Sequence, residues 1–206
     1  RKRTIDGYEI FLEESSHFEV ESKEGKVDTL QASRPWGMAL RILNRGRTGF
    51  SYTTSPSVSS SGSIGEGLER ISKDAIASAE VTSPDPCYDF PPALKSPPPS
   101  LPIFDETLPG VSEKRKIENA RILEEAARSV DTGRITKVRK ASYQESISRT
   151  TLINSNGFRF SYDVTFASVS VMAVAEESGE SEVGWDFDFS HFIDKIDVKK
   201  VRREAG

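Results

Sequence analysis

The stretch VGWDFDFS, residues Val183–Ser190, alternates large apolar side chains with acidic or small ones. A period of two is typical of a β-strand with two different faces. We therefore predict a strand here, with its aromatic row turned inward and its acidic row turned to water. The inward residues are Val183, Trp185, Phe187 and Phe189, and the outward residues are Asp186 and Asp188.

The same alternation predicts strands on both sides of the middle of the chain. Glycine-containing turns separate these strands, because glycine readily adopts the positive φ that a tight hairpin requires. The predicted strands contain Tyr8–Glu13, Phe18–Glu21, Met38–Ile42, Phe50–Tyr52, Ile147–Ile153, Phe158–Val164 and Phe166–Val174. The predicted turns are KEGK (Lys23–Lys26), NRG (Asn44–Gly46), NSNG (Asn154–Gly157) and ESGE (Glu177–Glu180).

Two stretches have helical spacing instead. The first follows a polar linker at Thr53–Ser63, begins with a capping box formed by Ser63 and Glu66, and is expected to pack on the preceding sheet. Its apolar stripe is Ile64, Leu68, Ile71, Ala75 and Ala79. The second begins near Ser112 and is predicted to stop at Gly133. Its stripe is Ile117, Ala120, Leu123, Ala127 and Val130. Residues Asp197–Gly206 resemble the opening of another helix.

Nine of the eleven prolines lie between Pro84 and Pro109, which predicts a stiff surface connector over Thr82–Gly110. The predicted fold is α+β, with antiparallel strand meanders and packed helices. Its subregions are 1–81 (strands, then a helix), 82–110 (the connector) and 111–206 (a helix, then strands). LNRGRTGFSYTT (Leu43–Thr54) and INSNGFRFSYDVT (Ile153–Thr165) share a glycine turn before Phe-Ser-Tyr, which leaves open that two related halves arose by duplication.

Composition limits the class of protein. With 28 basic and 32 acidic side chains the net charge is -4, so no uniform positive field would hold nucleic acid or an anionic membrane. One cysteine cannot form an internal disulfide, and no signal-peptide core or long apolar run occurs, which favours a cytoplasmic protein. The first residue is Arg1, from which we expect a trimmed chain whose start lies upstream.

Cys87 lies in SPDPCYDFPP (Ser83–Pro92), where no positive neighbour would lower its thiol pKa. We favour an apolar anchor in a proline-rich turn over a nucleophile. Asp186, Asp188, His191 and Asp194 have the ligand types for a metal, but a half-buried strand would also turn such carboxylates to water. We expect His17 to be exposed in a hairpin turn.

Three further motifs are best read as structural. GSIGEG (Gly62–Gly67) has glycines before a helix, but no lysine follows as in a nucleotide-binding loop. The basic runs KVRK (Lys137–Lys140) and KKVRR (Lys199–Arg203) contain no aromatic residues and read as solvated faces. No catalytic, cofactor-binding or metal-binding residue is therefore predicted.

Several long stretches carry a family resemblance. DGYEIFLEESSHFEVESKEGKVDTLQAS, beginning at Asp6, and GMALRILNRGRTGFSYTT, beginning at Gly37, resemble the opening of the TldD/PmbA family of metallopeptidases, formerly called modulators of DNA gyrase. TSPDPC (Thr82–Cys87) and VMAVAEESGESEVGWDFDFSHFID (Val171–Asp194) are similar to the PmbA, or TldE, branch.

The resemblance implies that residues 1–206 form an N-terminal α+β domain, with a larger C-terminal domain absent from this chain. It also implies that zinc is held only by a TldD-like partner, in an HExxxH motif that this segment lacks. The implied complex is a cytoplasmic heterodimer that encloses a channel for peptides or unfolded segments.

Two classes of function follow. The first is a subunit of a metallopeptidase complex that acts in proteolysis or peptide maturation and contributes scaffold, partner contacts and channel wall. Its exposed sheet edges could accept an extended peptide. The alternative is a non-enzymatic binding or scaffold domain, such as a DNA gyrase modulator.

Overall fold

The computed structural model describes residues 5–54, 65–197 and 201, and it has the predicted α+β fold. Two long helices and seven strands occur among these residues. The strands are β1 (Gly7–Lys23), β2 (Lys26–Ser33), β3 (Trp36–Asn44), β4 (Arg47–Thr53), β5 (Ile135–Asn154), β6 (Arg159–Glu177) and β7 (Glu180–Ser190). The helices are α1 (Gly65–Val81) and α2 (Glu113–Arg128), with short 3-10 turns at Leu108–Gly110 and Ile193–Lys195.

The chain divides into two compact units whose segments alternate along the sequence. The first unit contains Arg1–Ser15, Pro35–Ser100 and Ser148–Tyr162, and the second contains Ser16–Arg34, Leu101–Ile147 and Asp163–Gly206. Strands β1, β5 and β6 each contribute residues to both units. The assignment of residues 1–206 to a single N-terminal domain stays a prediction.

In the first unit, the strand order is β4-β3-β1-β5-β6, and α1 packs on one face of β3 and β4, as predicted. The buried residues of this core are Met38, Leu40, Ile42, Ile71, Ala75 and Ala79. Gly49 permits the close approach of the helix, because a Cβ at this position would overlap the carbonyl oxygen of Ala75. Any larger residue would therefore force α1 away from β4.

The proline-rich connector is irregular, as predicted, but it is not purely a surface segment. Phe90 is buried, and the guanidinium carbon of Arg41 lies 5.4 Å from the ring centre of Tyr88 and 5.6 Å from that of Phe90. Arg41 also pairs with the buried Glu9 across β1 and β3. The Asn154 amide donates to the carbonyl oxygen of Pro91 over 2.8 Å. Aromatic and polar contacts thus anchor the connector to the strands of the first unit.

In the second unit, the strand order is β2-β1-β5-β6-β7, and α2 covers one face. The buried residues of this core are Phe18, Val20, Ala120, Leu123, Ala127, Val138, Ala141, Tyr143, Val169, Val171 and Val201. Glu124 of α2 is also buried, where it accepts hydrogen bonds from the Ser22 hydroxyl at 2.6 Å and from the backbone N–H of Gly25 at 3.1 Å. The helix is therefore fixed to the β1–β2 turn by a carboxylate as well as by apolar contacts.

The four predicted turns are confirmed. Each has a glycine at positive φ: Gly25 at 73°, Gly46 at 71°, Gly157 at 82° and Gly179 at 87°. Three of them are preceded by a non-glycine residue that is also at positive φ, namely Glu24, Arg45 and Ser178. These are the backbone angles that two-residue hairpin loops require.

Several predicted boundaries are wrong. The second helix ends at Arg128 and not at Gly133, because the Asp131 carboxylate accepts hydrogen bonds from the N–H groups of Gly133 and Arg134 and closes a turn there. Strand β5 begins at Ile135, twelve residues before the predicted strand. The two predicted strands around His17 are one continuous strand, so His17 is exposed without lying in a turn.

Some predictions lie wholly or mainly outside the described residues. These are the linker and capping box around Ser63, most of GSIGEG, the basic run Lys199–Arg203 and most of the C-terminal helix. The two similar segments at Leu43–Thr54 and Ile153–Thr165 both form hairpins, and the greater part of each lies in the first unit. They do not mark matching positions of the two units, and duplication stays a prediction.

Candidate functional site

Strand β7 faces the opposite way from the prediction. Val171 and Val169 of β6 pair with Asp186 and Asp188, and both valines belong to the core beneath α2. Because directly paired residues lie on one face of a sheet, the two aspartates are on the core side. The apolar row is on the other side, where Trp185 is 62% exposed and Phe189 is 58% exposed. The predicted inward aromatic row is therefore wrong.

The exposed rings form an ordered array. Trp185 and Phe187 stack with centroids 5.7 Å apart and ring planes 8° apart, and Phe187 and Phe189 follow at 6.1 Å and 12°. Phe166 of β6 continues the row at 5.8 Å from Phe189. We call these four residues the open aromatic face. The cross-strand partners of Phe189 and Phe187 on β6 are Ser168 and Ser170, and these small neighbours leave the rings uncovered.

A shallow groove begins beside Phe166 on the same face of the second unit. Its volume is about 270 Å³, and its polar lining includes His17, Glu19, Gln31 and Gln144. The Gln144 amide donates to Glu19 at 2.6 Å, while Lys140 pairs with Glu21 and lies 3.7 Å from Glu19. The hydrogen bond to Glu21 raises the pKa of Lys140. Partial burial lowers this pKa, but the negative charges of Glu21 and Glu19 raise it further, so the pKa lies above its usual value. The groove therefore combines an aromatic wall with amide and carboxylate groups.

The four residues considered as metal ligands are not gathered into one site. His191 Nδ1 lies 2.6 Å from the carbonyl oxygen of Thr165, and the Thr165 hydroxyl donates to the carbonyl oxygen of His191 at 2.7 Å. Asp188 accepts from the backbone N–H of Asp197 at 2.7 Å. Within residues 5–54, 65–197 and 201, no group of three or more histidine, cysteine, aspartate or glutamate side chains is arranged to hold a metal.

Asp105 connects the end of the connector to the segment after β7. Its carboxylate accepts from the Thr107 hydroxyl at 2.6 Å and from the Ile193 N–H at 2.9 Å, while its own N–H donates to Thr165 at 2.7 Å. Burial raises the pKa of Asp105, but the hydrogen bonds from Thr107, Ile193 and Leu108 together hold that pKa below its usual value. The Asp105 carboxylate thus holds the segment that directly follows β7, next to the open aromatic face.

A network of three largely buried polar side chains lies under α2. Tyr143 donates to Glu145 at 2.6 Å, and Lys116 Nζ lies 2.5 Å from the other oxygen of Glu145 and 4.8 Å from the Phe18 ring centre. Burial raises the pKa of Tyr143, and the hydrogen bond to the Glu145 carboxylate raises it further. All three polar groups are satisfied by one another, which is typical of a structural network.

Two other predictions, for Cys87 and for the run KVRK, are also corrected by the structure. Cys87 is exposed and not an anchor, because the buried anchor of this turn is Phe90. In KVRK, Val138 is buried in the core and Lys140 forms the ion pair described above, so the run is part of β5 and not a solvated face throughout. No helix among the described residues has both the length and the apolar character needed to cross a membrane.

The open aromatic face was missed although the sequence contained a signal for it. The predicted two-residue turn at ESGE pairs Glu177 with Glu180 and thereby fixes the register of the hairpin. That register places Val169 and Val171 opposite the two aspartates of β7, not opposite its aromatic rings. In β6 the residues Ser168, Val169, Ser170 and Val171 follow one another, and this alternation of small polar and apolar side chains already indicated which side was buried.

Comparison with known proteins identifies the class. The profile of the PmbA/TldA metallopeptidase domain 1 matches residues 8–79, and that of the PmbA/TldA metallopeptidase central domain matches residues 106–206. The chain belongs to the PmbA/TldD metallopeptidase family, as the sequence resemblance indicated.

Individual relatives agree with this assignment. The chain is 27% identical to the metalloprotease PmbA of Escherichia coli over 86% of its own length and 38% of that protein. Its fold matches TldE from Thermococcus kodakarensis with a TM-score of 0.81 at 18% identity, over 98% of this chain and 43% of that one. It also matches a candidate modulator of DNA gyrase from Bacteroides thetaiotaomicron with a TM-score of 0.81 at 22% identity, over 99% of this chain and 45% of that one. The chain thus spans about two fifths of the length of these relatives.

Proposed function

We propose that this chain forms the scaffold and binding wall of a PmbA/TldE-like subunit in a cytoplasmic metallopeptidase complex. In this proposal a TldD-like partner holds the catalytic zinc, and the complex cleaves peptides or unfolded protein segments. Membership of the PmbA/TldD family supports the general role. The 27% identity to a protein named metalloprotease PmbA supports participation in proteolysis.

The observation that carries the proposal is the open aromatic face. Four ordered rings that remain exposed on a sheet are costly in water, and contiguous apolar patches of this kind commonly mark interaction sites. Aromatic residues are also the side chains most enriched where proteins bind other polypeptides. The adjoining polar groove supplies amide and carboxylate groups that could orient a bound backbone.

The non-enzymatic scaffold remains the less favoured function. The structures described as gyrase modulators share the fold at low sequence identity, and a shared fold alone does not carry a shared function. The two profile matches are to metallopeptidase domains.

The proposal is tested by producing the full-length protein together with a TldD-like subunit. Trp185→Ala with Phe187→Ala should lower either recovery of the partner or the affinity for an unfolded substrate, seen as a KM increase of about fivefold or more. The matched control is Phe50→Ala with Tyr52→Ala, which removes two exposed rings from β4 of the first unit. Unchanged partner recovery and unchanged kinetics in the β7 variant would refute the proposed role of this face.

A further inference from the structure

A cavity of about 330 Å³ lies in the second unit, on the side of the sheet that α2 covers. Its walls are formed by α2, by strands β5 and β6 and by the 3-10 turn after β7. Its apolar lining residues are Val111, Tyr143, Val169, Ile193 and Ile196. The volume is at the lower end of the range for small-molecule pockets, so the cavity is suited to a small ligand.

The side chains inside the cavity offer a ligand apolar contacts. Val169 is 3% exposed, and the Tyr143 hydroxyl already donates to Glu145 at 2.6 Å, so only its ring is left for contact. Within the described part of the chain, the buried side-chain atom that lacks a partner is Oδ2 of Asp186, and Asp186 does not line this cavity. A polar group placed inside would lose its hydrogen bonds to water without replacement from these side chains. The buried part of a ligand should therefore be hydrocarbon.

The rim of the cavity carries both signs of charge. Arg115 and Asn119 lie one turn apart on the same face of α2, and Arg115 is exposed. Asp194 lines the cavity from the 3-10 turn, and its side chain is 71% exposed. Its contact with Lys195 is 3.7 Å long and exposed, so this ion pair contributes little and leaves the carboxylate available. A guanidinium and an amide from α2 thus share the rim with a carboxylate from the turn.

Both elements that form the rim are held in place by their own contacts. Ser112 caps α2 by accepting a hydrogen bond from the Arg115 N–H. The Ile193 N–H donates to Asp105 at 2.9 Å, and the Ile196 N–H donates to the carbonyl oxygen of Ile193 at 3.4 Å, which closes the turn. The cavity is therefore formed before a ligand arrives, and binding requires little additional ordering.

The ligand that matches these features has an apolar part and carries a cation and an anion at one end. A free α-amino acid in its zwitterionic form has both charges on one carbon atom and a side chain that extends away from them. Its carboxylate would meet Arg115 and Asn119, because a guanidinium group pairs with a carboxylate through two parallel hydrogen bonds, and its ammonium group would meet Asp194. We infer that this cavity binds an α-amino acid with an apolar side chain, such as leucine.

This inference goes beyond the proposed function and does not depend on it. The cavity lies on the α2 side of the sheet, whereas the open aromatic face lies on the other side. Peptide cleavage releases free amino acids, so in a peptidase subunit the cavity would act as a product-sensing site. A failure of leucine binding would leave the proposed function intact, and a failure of the β7 variant would leave this inference intact.

Isothermal titration calorimetry with the full-length protein provides the test. Leucine is compared with leucine amide, which lacks the carboxylate, with N-acetyl-leucine, which lacks the ammonium group, and with glycine, which lacks the side chain. Leucine should bind about tenfold or more tightly than each of these three compounds. Absence of leucine binding up to about 10 mM, or equal affinities for leucine and either blocked form, would overturn the inference.

Two variants that each remove one charge assign the two ends of the ligand. Arg115→Gln should abolish the preference for leucine over leucine amide and keep the preference over N-acetyl-leucine. Asp194→Asn should have the reverse effect. The matched control is Arg121→Gln, which changes an exposed arginine further along α2 and should keep both preferences. If both preferences also survive in Arg115→Gln and Asp194→Asn, the ligand charges bind elsewhere and the inference fails.

Filling the cavity tests the location of the ligand independently. Val111→Phe adds a ring to the cavity wall and should abolish leucine binding, while its melting temperature without ligand shows that the variant is folded. Leucine should raise the melting temperature of the parent protein but not that of Val111→Phe, since only a ligand that binds the folded state stabilises it. A folded Val111→Phe variant that binds leucine as tightly as the parent would place the ligand outside this cavity and refute the inference.

Discussion

Lys116 of α2 and Glu145 of β5 form an ion pair with 2.5 Å between Nζ and Oε1, and both side chains are largely removed from water. The pair holds the helix to the sheet of the second unit from the side opposite the open aromatic face. Tyr143 donates to the second oxygen of Glu145, so the carboxylate is satisfied on both sides. The stability of this support can be tested separately from binding.

Removing one charge of this pair should be strongly destabilising. Glu145→Gln leaves the Lys116 ammonium group buried without its counter-ion, which costs about 3–5 kcal/mol for buried pairs. Urea unfolding followed by circular dichroism measures the loss. The double variant Lys116→Met with Glu145→Gln should regain much of the free energy of unfolding, because no uncompensated charge remains. A single variant as stable as the parent would mean that the pair is not buried in solution.

Glu124 should matter far more than its neighbour in the same helix. Glu124→Ala leaves the buried Ser22 hydroxyl without its acceptor, at a cost of about 1–3 kcal/mol, and also removes the acceptor of the more exposed Gly25 N–H. Glu125→Ala changes an exposed residue and is the matched control. Comparison of the two urea midpoints gives the difference. Similar midpoints would show that Glu124 does not fix the β1–β2 turn.

Gly49→Ala should destabilise the first unit although alanine is only one methyl group larger. The added Cβ would overlap the Ala75 carbonyl oxygen and come within 2.7 Å of the Ala79 N, so α1 must shift as a body. Overpacking of this kind typically costs about 1–3 kcal/mol. Gly37→Ala is the control, since a Cβ there meets nothing within 4 Å. Thermal unfolding of both variants tests the prediction, and equal melting temperatures would contradict the packing described.

Asp105 should make stability sensitive to acid. Its pKa is lower in the folded state than the ordinary 3.8, so the unfolded chain binds more protons as the pH falls. The contribution is therefore present above about pH 4 and is lost as the pH falls through the folded pKa. Asp105→Asn should be less stable than the parent at neutral pH, with the gap narrowing below pH 4. Glu106→Gln, an exposed neighbour, should show no such narrowing.

The elements predicted most accurately were those set by local chemistry. The turns at Gly25, Gly46, Gly157 and Gly179 were placed correctly, because only a few residues tolerate the positive φ that they require. The N-terminus of α2 was also correct, since Ser112 caps it by accepting a hydrogen bond from the Arg115 N–H.

The errors occurred where distant parts of the chain decide the outcome. The early residues of β5 were missed because Lys137 and Arg139 interrupt the apolar pattern, while Val138 and Tyr143 are buried against α2 and its neighbours. The anchoring of Phe90 depends on Arg41, which is far away in sequence. The direction of β7 depended on its register with β6, which outweighs the apolar character of its own side chains.

Contact between the open aromatic face of β7 and a polypeptide is the central feature of the proposed function. The most direct measurement is to place a photo-crosslinking analogue of phenylalanine at position 187 in the full-length protein, assemble the complex and irradiate it with an unfolded substrate. We expect crosslinks from position 187 to the substrate or partner, and far fewer from the same analogue at position 50. Crosslinks from position 187 only to its own chain, or equal yields from both positions, would contradict this expectation.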